Sequence, residues 1–407
     1  MRRPLMVVLC CVVAGLMIMA PMLSGQSPGD TSTANVAKAG MDAERLARIP
    51  ARMQEFVDKG TIAGAVMLVA RHGVVASLEA VGYQDLDSKK PMRTDTIFAI
   101  ASMTKSLTAT GVMVLLENGR LLLSDPVEKH LPEFRGQMLV DQRDGDKVLA
   151  VKKPSRPITI WDLLTHTSGV RGVWDSRRDK TLADTARDFA REPLDFEPGT
   201  KFSYSNAGYG TLGRIIEVVS GQSYEVFMEE RVFRPLGMKD TFHFLPPEKY
   251  NRIATVYSLE AGKLQKTPAP ETTTPQKYVS PSGGCYSTAY DLFAFYQMVL
   301  NGGTYKGVRI LSRAAVEVMT TDHTGDLPVV GTPLSRDYGF GWNVVRQPLA
   351  RTPFLSIGSY FHGGETGTFD WIDPKKDSVT LFLIQRYPSI MEEAPLFLTL
   401  AAAAIVD

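Results

Sequence analysis

Cysteine is scarce in this sequence, which excludes a fold held together by disulfide bonds. The 407 residues contain three cysteines: Cys10 and Cys11 lie in an apolar N-terminal run, and only Cys285 lies beyond it. One remaining thiol cannot form an intramolecular disulfide, so stability must come from a hydrophobic core. A lone cysteine is most often a buried, inert thiol, and we assign no chemistry to Cys285.

The sequence also lacks an excess of charge of either sign. The 45 Lys and Arg residues balance 44 Asp and Glu residues, and no basic run stands out. Proteins that bind nucleic acid concentrate Lys and Arg on one face, so nucleic acid is not expected as a partner. The six histidines are scattered and form no His-Glu-x-x-His or similar cluster. Neither a metal nor another cofactor is therefore expected.

The N-terminus has the pattern of an export signal. Arg2 and Arg3 precede an uncharged apolar run over residues 5–23, and a polar tail follows. We expect residues 1–25 to be a signal peptide or a membrane anchor, and the protein to be exported, either periplasmic or secreted. The run is long enough to span a bilayer and no clean Ala-x-Ala site follows directly, so cleavage and anchoring both stay open.

The rest of the chain has the composition of one folded domain. With 44% hydrophobic and 22% charged residues in the sequence, residues 41–407 can bury a sizeable core. Residues 26–40 are rich in small and polar types and predict a disordered spacer. Between about 126 and 280 the pattern is mainly helical, with a polar loop at 141–147, and it predicts a helical subdomain inserted into a sheet domain.

Two stretches have the pattern of β-hairpins. The first consists of runs 65–70 and 74–81 that turn at Arg71, His72 and Gly73, so His72 is interpreted as a turn residue and not as a catalyst. The second joins runs 361–372 and 378–384 through a turn at 373–377. We expect an α/β (α+β) fold in which an antiparallel sheet is flanked by helices.

The first stretch whose residues could carry out catalysis surrounds Ser102. An extended apolar run ends there in small residues, and a helical pattern begins. If Ser102 opens that helix, Lys105 shares its face and can reach the serine hydroxyl. A serine nucleophile needs such a base, and the free N–H groups at a helix start favour a developing oxyanion. A chance Ser-x-x-Lys is expected about once in a chain of this length, so the motif alone decides nothing.

A second stretch supplies a phenol and an amide. Tyr204 and Asn206 precede a helical run, and we expect them on a loop beside Ser102. A tyrosine beside a lysine ammonium has its phenolate favoured, so Tyr204 could take the serine proton and return it to the leaving group. Asn206 can orient Lys105 and donate to a substrate carbonyl. In isolation, core packing of Tyr204 and helix capping by Asn206 would be the commoner roles.

The third stretch is His362-Gly363-Gly364-Glu365. Consecutive glycines in a strand remove side chains where another backbone or a ligand must approach. An edge strand offers its N–H groups to a substrate, and one of them can complete an oxyanion hole. His362 would then face the tyrosine side of the cleft, although a lone histidine is more often structural.

Together these stretches resemble the serine hydrolases of the penicillin-recognising superfamily, which includes class C β-lactamases, D-alanyl-D-alanine carboxypeptidases, D-aminopeptidases and family VIII carboxylesterases. Ser102-Met103-Thr104-Lys105, Tyr204-Ser205-Asn206 and His362-Gly363-Gly364 stand in the order found in that superfamily. The resemblance spans about residues 46–385 and also includes 158–169, 196–200 and 235–238. It implies a β-lactamase/transpeptidase-like fold.

The resemblance also implies roles for the site residues. Ser102 would be the acylated nucleophile, and Lys105 and Tyr204 would titrate as a coupled proton-handling pair. The backbone N–H groups of Ser102 and Glu365 would form the oxyanion hole, and His166 would belong to the scaffold. The implied substrate-binding residues are Asn206, His362, Gly363 and Gly364.

One departure from the superfamily concerns His362. β-Lactamases of this group usually have Lys-Thr-Gly where this chain has His362-Gly363-Gly364. A permanently charged lysine suits the carboxylate of a β-lactam better than a histidine near its titration point. Histidine is familiar at this position among the esterases and peptidases, so a β-lactamase becomes less favoured.

The expected function is hydrolysis of a small-molecule ester, amide or peptide through an acyl-enzyme on Ser102. Esterase activity is the preferred expectation, because the leaving group departs more easily from an ester than from an amide or peptide. The enzymatic alternatives are a D-alanyl-D-alanine carboxypeptidase or D-aminopeptidase and a β-lactamase. A non-catalytic binder of cell-wall peptides is the alternative outside enzymes, and intact Ser102, Lys105 and Tyr204 count against it. The acyl group, the leaving group and the oligomeric state stay open.

Overall fold

Helices and strands are mixed along the whole of the described chain. The computed structural model describes residues 33–172, 179–267, 277–330, 337–389 and 392–406. Its strands are β1 (Gly64–Arg71), β2 (Val74–Asp85), β3 (Lys90–Pro91), β4 (Phe98–Ala99), β5 (Leu139–Asp144), β6 (Lys147–Lys152), β7 (Tyr257–Glu260), β8 (Lys263–Lys266), β9 (Tyr286–Ser287), β10 (Thr304–Tyr305), β11 (Val308–Arg309), β12 (Asn343–Val344), β13 (Tyr360–Gly363), β14 (Thr368–Asp373), β15 (Ser378–Leu383) and β16 (Arg386–Tyr387). Its helices are α1 (Thr33–Lys38), α2 (Ala43–Asp58), α3 (Thr104–Glu117), α4 (Val127–His130), α5 (Ile160–Leu164), α6 (Leu182–Arg191), α7 (Asn206–Ser220), α8 (Tyr224–Met228), α9 (Arg234–Leu236), α10 (Ala289–Leu300), α11 (Arg313–Met319) and α12 (Glu393–Ala403). Short 3₁₀ turns cover Ala101–Met103, Pro132–Phe134 and Pro247–Arg252, and a π-helical turn covers Glu229–Phe233.

One seven-stranded sheet lies at the centre of the fold. Its strand order is β12-β13-β14-β15-β1-β2-β3, and all its pairings are antiparallel. The middle strand β1 pairs with β15 in the register Val66↔Leu383, so early and late parts of the chain meet there. All of β1 is buried, as a strand covered on both faces should be. The expected antiparallel sheet flanked by helices is confirmed.

The two faces of this sheet pack against different helices. A first core cluster contains Val112 of α3, Leu292 of α10 and Leu381 of β15. A second cluster combines residues of α2 and α12 with Phe382, the neighbour of Leu381. Successive strand residues point to opposite faces, so β15 contributes to both clusters. α10 therefore packs on one face of the sheet, and α2 and α12 pack on the other. The helix α3 that follows Ser102 belongs to the same core as α10 but packs mainly against α7 and α8.

The predicted N-terminal hairpin is confirmed, but the C-terminal one is more complex. β1 and β2 turn at His72 and Gly73, whose φ values are +53° and +70°. The run 361–372, interpreted as one strand, divides into β13 and β14, which pair with each other. The turn between them is closed by a bond from Gly367 N to Gly364 O at 3.0 Å. β14 and β15 then form the predicted hairpin around 373–377.

The segment 141–147, expected to be a polar loop, is part of a β-hairpin instead. β5 and β6 pair antiparallel and turn around Gly145, which has a φ of +56°. Most residues of β5 and β6 are exposed. The two strands therefore have no buried face, and the sequence shows no alternation of apolar and polar residues there. The Asp-Gly pair at 144–145 is a hairpin turn signal, and backbone pairing makes the strands.

The described chain starts with an ordered helix. Residues 33–38 fall in the stretch expected to be a disordered spacer, but they form α1. Val36 and Ala39 are buried in the cluster formed by α2 and α12, and this contact explains why so polar a stretch is ordered. Residues 1–32, with the expected signal peptide or anchor, lie outside the described residues. Across the ranges that the structure describes, no helix combines the length and apolar character needed to cross a bilayer.

A buried ion pair ties α12 to the end of the sheet. Arg386 and Glu393 are 1% and 2% exposed, and the distance from Arg386 Nη1 to Glu393 Oε1 is 2.7 Å. Arg386 Nη1 also donates to Thr61 O at 3.0 Å. Removal of one partner of such a pair leaves an uncompensated charge in the protein interior.

We expect Glu393→Ala to lower the free energy of unfolding by about 3–5 kcal/mol, because the Arg386 guanidinium would stay buried without its carboxylate. Urea titration followed by circular dichroism measures the change. The matched control is Glu392→Ala, which alters the preceding, exposed residue and should cost about 0.5 kcal/mol or less. Equal losses in the two variants would contradict the importance of the pair.

Candidate active site

Ser102 lies at a sharp turn between a strand and a helix. β4 ends at Ala99, a 3₁₀ turn follows, and α3 starts at Thr104. Ala101 has a φ of +45°, a left-handed conformation that residues other than glycine rarely adopt. Thr104 Oγ1 donates to Ala101 O at 2.7 Å and accepts from Cys285 N at 3.2 Å. The surrounding structure therefore holds Ser102 at the start of the helical turn, as the sequence predicts.

The side-chain amine of Lys105 is buried and has three polar partners. Nζ lies 3.2 Å from Ser102 Oγ, 2.8 Å from Asn206 Oδ1 and 2.7 Å from Ser282 O. Burial lowers the pKa of Lys105 well below its ordinary value, and the smaller effect of the Glu365 carboxylate raises it. A neutral amine beside a serine hydroxyl can accept its proton.

Tyr204 contacts both members of this pair. Its hydroxyl is hydrogen-bonded to Ser102, and Lys105 Nζ lies 4.6 Å from its ring centroid. Burial raises the pKa of Tyr204 far above its ordinary value, the bond to Ser102 lowers it by less, and Glu365 adds to the increase. Both pKa shifts oppose the sequence-based expectation of a phenolate stabilised by an ammonium. Burial favours the neutral phenol and the neutral amine together.

The loop that carries Tyr204 is positioned by His166. His166 Nδ1 accepts a hydrogen bond from Ser205 N at 2.9 Å, and its ring centroid lies 4.5 Å from that of Tyr204. Burial lowers the pKa of His166 well below its ordinary value. The neutral ring that this favours has one unprotonated nitrogen, as the hydrogen bond from Ser205 N requires. Ser205 Oγ in turn accepts from Gly208 N at 3.0 Å and caps α7. These contacts agree with the scaffold role that the resemblance implies for His166.

The β13–β14 turn packs against the chain that leads into Ser102. A Cβ atom on Gly364 would lie 2.7 Å from Ile100 O, so the two backbones approach this closely because residue 364 has no side chain. Thr366 Oγ1 donates to Ala99 O at 3.2 Å. A Cβ atom on Gly363 would instead lie 2.6 Å from the ring of Phe369. Of the two glycines, Gly364 makes the close approach beside the serine.

Two backbone N–H groups at this junction have no hydrogen-bond partner among the described residues. Within the described ranges, neither Ser102 N nor Glu365 N donates a hydrogen bond. They belong to the two segments that the Gly364 contact brings together. Two donors directed at one developing charge are what an oxyanion hole requires, and this arrangement offers the pair that the resemblance implies.

His362 is buried behind the site, and its ring is engaged by the protein. The residue is 3% exposed. Nδ1 lies 2.9 Å from Gly363 O, which only accepts, so Nδ1 carries the proton and Nε2 accepts from the Tyr338 hydroxyl at 3.1 Å. Burial lowers the pKa of His362 to about 3. The substrate-side role expected of this side chain differs from the structure, in which the neutral ring holds Tyr338 and its own strand.

β13 is also less of an edge strand than the sequence suggests. β12 pairs with Tyr360 and Phe361, which leaves His362 and Gly363 at the open edge. β12 is two residues long, and so short a strand has no recognisable period in the sequence. The open edge is restricted to the part of β13 nearest Gly364.

Sequence reasoning missed the carbonyl of Ser282 as a partner of Lys105. A backbone oxygen carries no residue-type signal, and the cluster of Ser, Pro and Gly at 280–284 indicates only a loop. Tyr338, which orients His362, lies in an aromatic-rich stretch whose role the sequence does not specify. The side chain of Glu365 was missed because the resemblance assigns a role only to its backbone.

A cavity of about 550 Å³ opens beside the Tyr204 loop. Its lining includes Tyr204, Asn206, Ser282, Arg171, Phe189 and Tyr278. Lys180 and Arg191, which also line it, pair with Asp188. In the part of the chain that the structure describes, no three His, Cys, Asp or Glu side chains converge to hold a metal ion. The cavity has room for a small organic group beside Tyr204 and Asn206.

Known proteins share this sequence pattern and this arrangement of elements. A family model described as beta-lactamase matches residues 49–405. Protein Rv1367c of Mycobacterium tuberculosis is 34% identical over 367 residues, which cover 84% of this chain and 91% of that protein. Esterase EstB of Burkholderia gladioli is 35% identical over 229 residues, which cover 52% of this chain and 55% of EstB. A solved structure, EstCE1, described as a hydrolase with promiscuous acyltransferase activity, has a TM-score of 0.75 at 26% identity and covers 92% of this chain and 100% of its own.

We expect Glu365→Gln to move the acidic limb of serine reactivity to lower pH. The Glu365 carboxylate raises the pKa of Lys105, so its removal destabilises the ammonium, and the reactive neutral amine persists at lower pH. The measurement is the rate of Ser102 labelling by a fluorophosphonate probe as a function of pH.

The matched control is Glu44→Gln, which removes an exposed carboxylate from α2 on the opposite face of the sheet and should leave the limb in place. A limb that moves to higher pH in Glu365→Gln, or does not move, would contradict the assignment of the limb to Lys105.

Proposed function

The chain belongs to the beta-lactamase family of serine hydrolases, and we propose that it cleaves esters through an acyl-enzyme on Ser102. The β-lactamase/transpeptidase-like fold that the sequence predicts is confirmed by the match to EstCE1, and the resemblance to penicillin-recognising hydrolases by the family match. The observation that carries the proposal is the buried amine of Lys105, 3.2 Å from Ser102 Oγ.

In the proposed mechanism, neutral Lys105 accepts the proton of the Ser102 hydroxyl as Oγ attacks the ester carbonyl. The resulting ammonium is stabilised by Asn206 Oδ1 and Ser282 O, which already contact Nζ at 2.8 and 2.7 Å. The N–H groups of Ser102 and Glu365 receive the oxyanion, which is where preorganised donors have their largest effect. Solvation of the new charge by fixed partners replaces the water that burial removes.

Tyr204 completes the proposed proton path. Its neutral phenol, bonded to Ser102, donates a proton to the departing alkoxide and regains one from the Lys105 ammonium. The acyl-enzyme then reacts with water, whose proton follows the same groups in the reverse direction. A phenol with a raised pKa suits this role, because it remains protonated until a strongly basic leaving group forms.

Two observations support an ester over a β-lactam as the substrate. The neutral ring of His362 is bonded to Tyr338 and Gly363 O, so this strand presents no cation for the carboxylate of a β-lactam. The relative EstB is named an esterase, and EstCE1 is described as a hydrolase. Export, either to the periplasm or out of the cell with the N-terminus cleaved or kept as an anchor, remains part of the proposal and is supported by residues 1–25.

We expect Ser102→Ala to lose more than about 10³-fold in the hydrolysis of an activated ester, because no other hydroxyl replaces the nucleophile. A panel of activated esters, a chromogenic cephalosporin and D-alanyl peptides measures which bond wild type cleaves. Ser88→Ala, the same change in the exposed β2–β3 turn, is the control and should keep the wild-type rate. Full activity in Ser102→Ala refutes the nucleophile, and a wild-type protein that turns over nothing and resists the probe indicates a binder.

Tyr204→Phe should reduce the rate by about 10²-fold to 10⁴-fold, the usual contribution of a positioned proton donor. The comparison variant is Tyr209→Phe. Tyr209 also lies near Lys105, at 5.6 Å from ring centroid to Nζ, but its hydroxyl donates to Leu164 O. Loss of that hydroxyl should affect stability more than rate. A wild-type rate in Tyr204→Phe would show that Lys105 alone moves the proton.

A further inference from the structure

We propose that the side chain of Glu365 selects substrates by charge, so that esters with a cationic group near the scissile bond react faster than esters with a carboxylate there. The inference rests on the proposed hydrolase function and adds the charge of the preferred substrate. It concerns the Glu365 side chain, whereas the oxyanion role concerns only the backbone N–H of the same residue.

Glu365 lies in the β13–β14 turn, at the junction with the segment that leads into Ser102. The residue before it, Gly364, packs against Ile100 O and the Cβ of Ala101. The residue after it, Thr366, donates to Ala99 O at 3.2 Å. Both neighbours thus contact the segment that leads into Ser102, and Glu365 itself is exposed.

The Glu365 carboxylate is not paired with any side chain that the structure describes. In the described ranges it forms neither a hydrogen bond nor an ion pair. It nevertheless acts electrostatically on the site, since it raises the pKa values of both Lys105 and Tyr204. A free charge that influences both of these groups also influences a charged substrate bound between them.

The other titratable groups at this side of the site carry little compensating charge. The His362 imidazole is neutral and occupied by Tyr338 and Gly363 O. The Lys105 amine is buried, and its three contacts direct it away from solvent and toward Ser102, Asn206 and Ser282. Glu365 therefore contributes a negative charge beside Gly364 that neither His362 nor Lys105 offsets.

The cavity beside Tyr204 also has an unpaired cation, Arg171, in its lining. No ion pair joins Arg171 to another residue among those that the structure describes. Arg171 would attract an anionic group rather than a cationic one. An Arg171→Gln variant therefore distinguishes a charge preference caused by Arg171 from one caused by Glu365.

The test uses two sets of chromogenic nitrophenyl esters. In the first set the leaving phenol is neutral, carries a trimethylammonium group or carries a carboxylate, with one acyl group throughout. In the second set the acyl group carries these charges and the phenol is constant. The kcat/KM of each charged ester is divided by that of the neutral ester of its set, and this ratio is divided by the same ratio for hydroxide-catalysed hydrolysis. General effects of a substitution on turnover and the intrinsic reactivities of the esters then cancel.

We expect wild type to prefer the cationic over the anionic ester by about 3-fold to 10-fold in one of the two sets, as a single nearby carboxylate predicts. Glu365→Gln should bring that ratio to about 1, and Glu365→Lys should invert it. The preference should weaken as salt increases, because ions screen an exposed charge. The set that responds identifies the end of the ester that lies along the β13–β14 turn. Glu44→Gln should keep the wild-type ratios.

Two results would overturn the inference. One is an unchanged ratio in Glu365→Gln for both sets, and the other is a change that appears only in Arg171→Gln. If Ser102→Ala also abolishes hydrolysis, these results remove the charge selection and leave the hydrolase intact. Absence of hydrolysis and of probe labelling in wild type would instead remove both.

Discussion

The removal of one lysine amine from water governs the chemistry of this protein. Lys105 is 0% exposed, and the low polarity around it favours the neutral amine, which is the form that can accept a proton from Ser102. Its three partners come from three separate parts of the chain: the turn before α3, the start of α7, and the loop before β9. The helix α3 must pack against α7 and α8 for these parts to meet around one nitrogen, so the core and the proposed base depend on the same packing.

Burial acts in the same direction on the groups around Lys105. The phenol of Tyr204 and the imidazoles of His166 and His362 are all driven toward their uncharged forms. Uncharged groups can exchange a proton through short contacts without first separating opposite charges, and they avoid the cost of an unpaired ion in the interior. Glu365 differs from these groups because it is exposed to solvent.

Local features of this site could be predicted from the sequence, whereas features that depend on distant packing could not. The approach of Lys105 to Ser102 follows from a three-residue spacing on one helical turn. The meeting of that turn with Tyr204 and with the glycine strand followed from the family resemblance, since no local rule joins residues a hundred or more positions apart. The direction of the pKa shift of Tyr204 could not be predicted, because the sequence shows a neighbouring charge but not the burial that outweighs it. The orientation of the His362 ring could not be predicted either, because nothing in the sequence indicates that Tyr338 contacts it.

The pairing of β1 with β15 has a consequence for how such a protein is made. Ser102, Lys105 and Tyr204 all precede residue 205, but the middle of the sheet is completed only by residues 378–383, close to the end of the chain. A ribosome releases these last strands after every reactive side chain has already emerged. Until then β1 lacks its partner β15, and the segment that leads into Ser102 lacks the β13–β14 turn that packs against it. The backbone N–H groups of Ser102 and Glu365 can therefore come together only after residues 360–383 have been made.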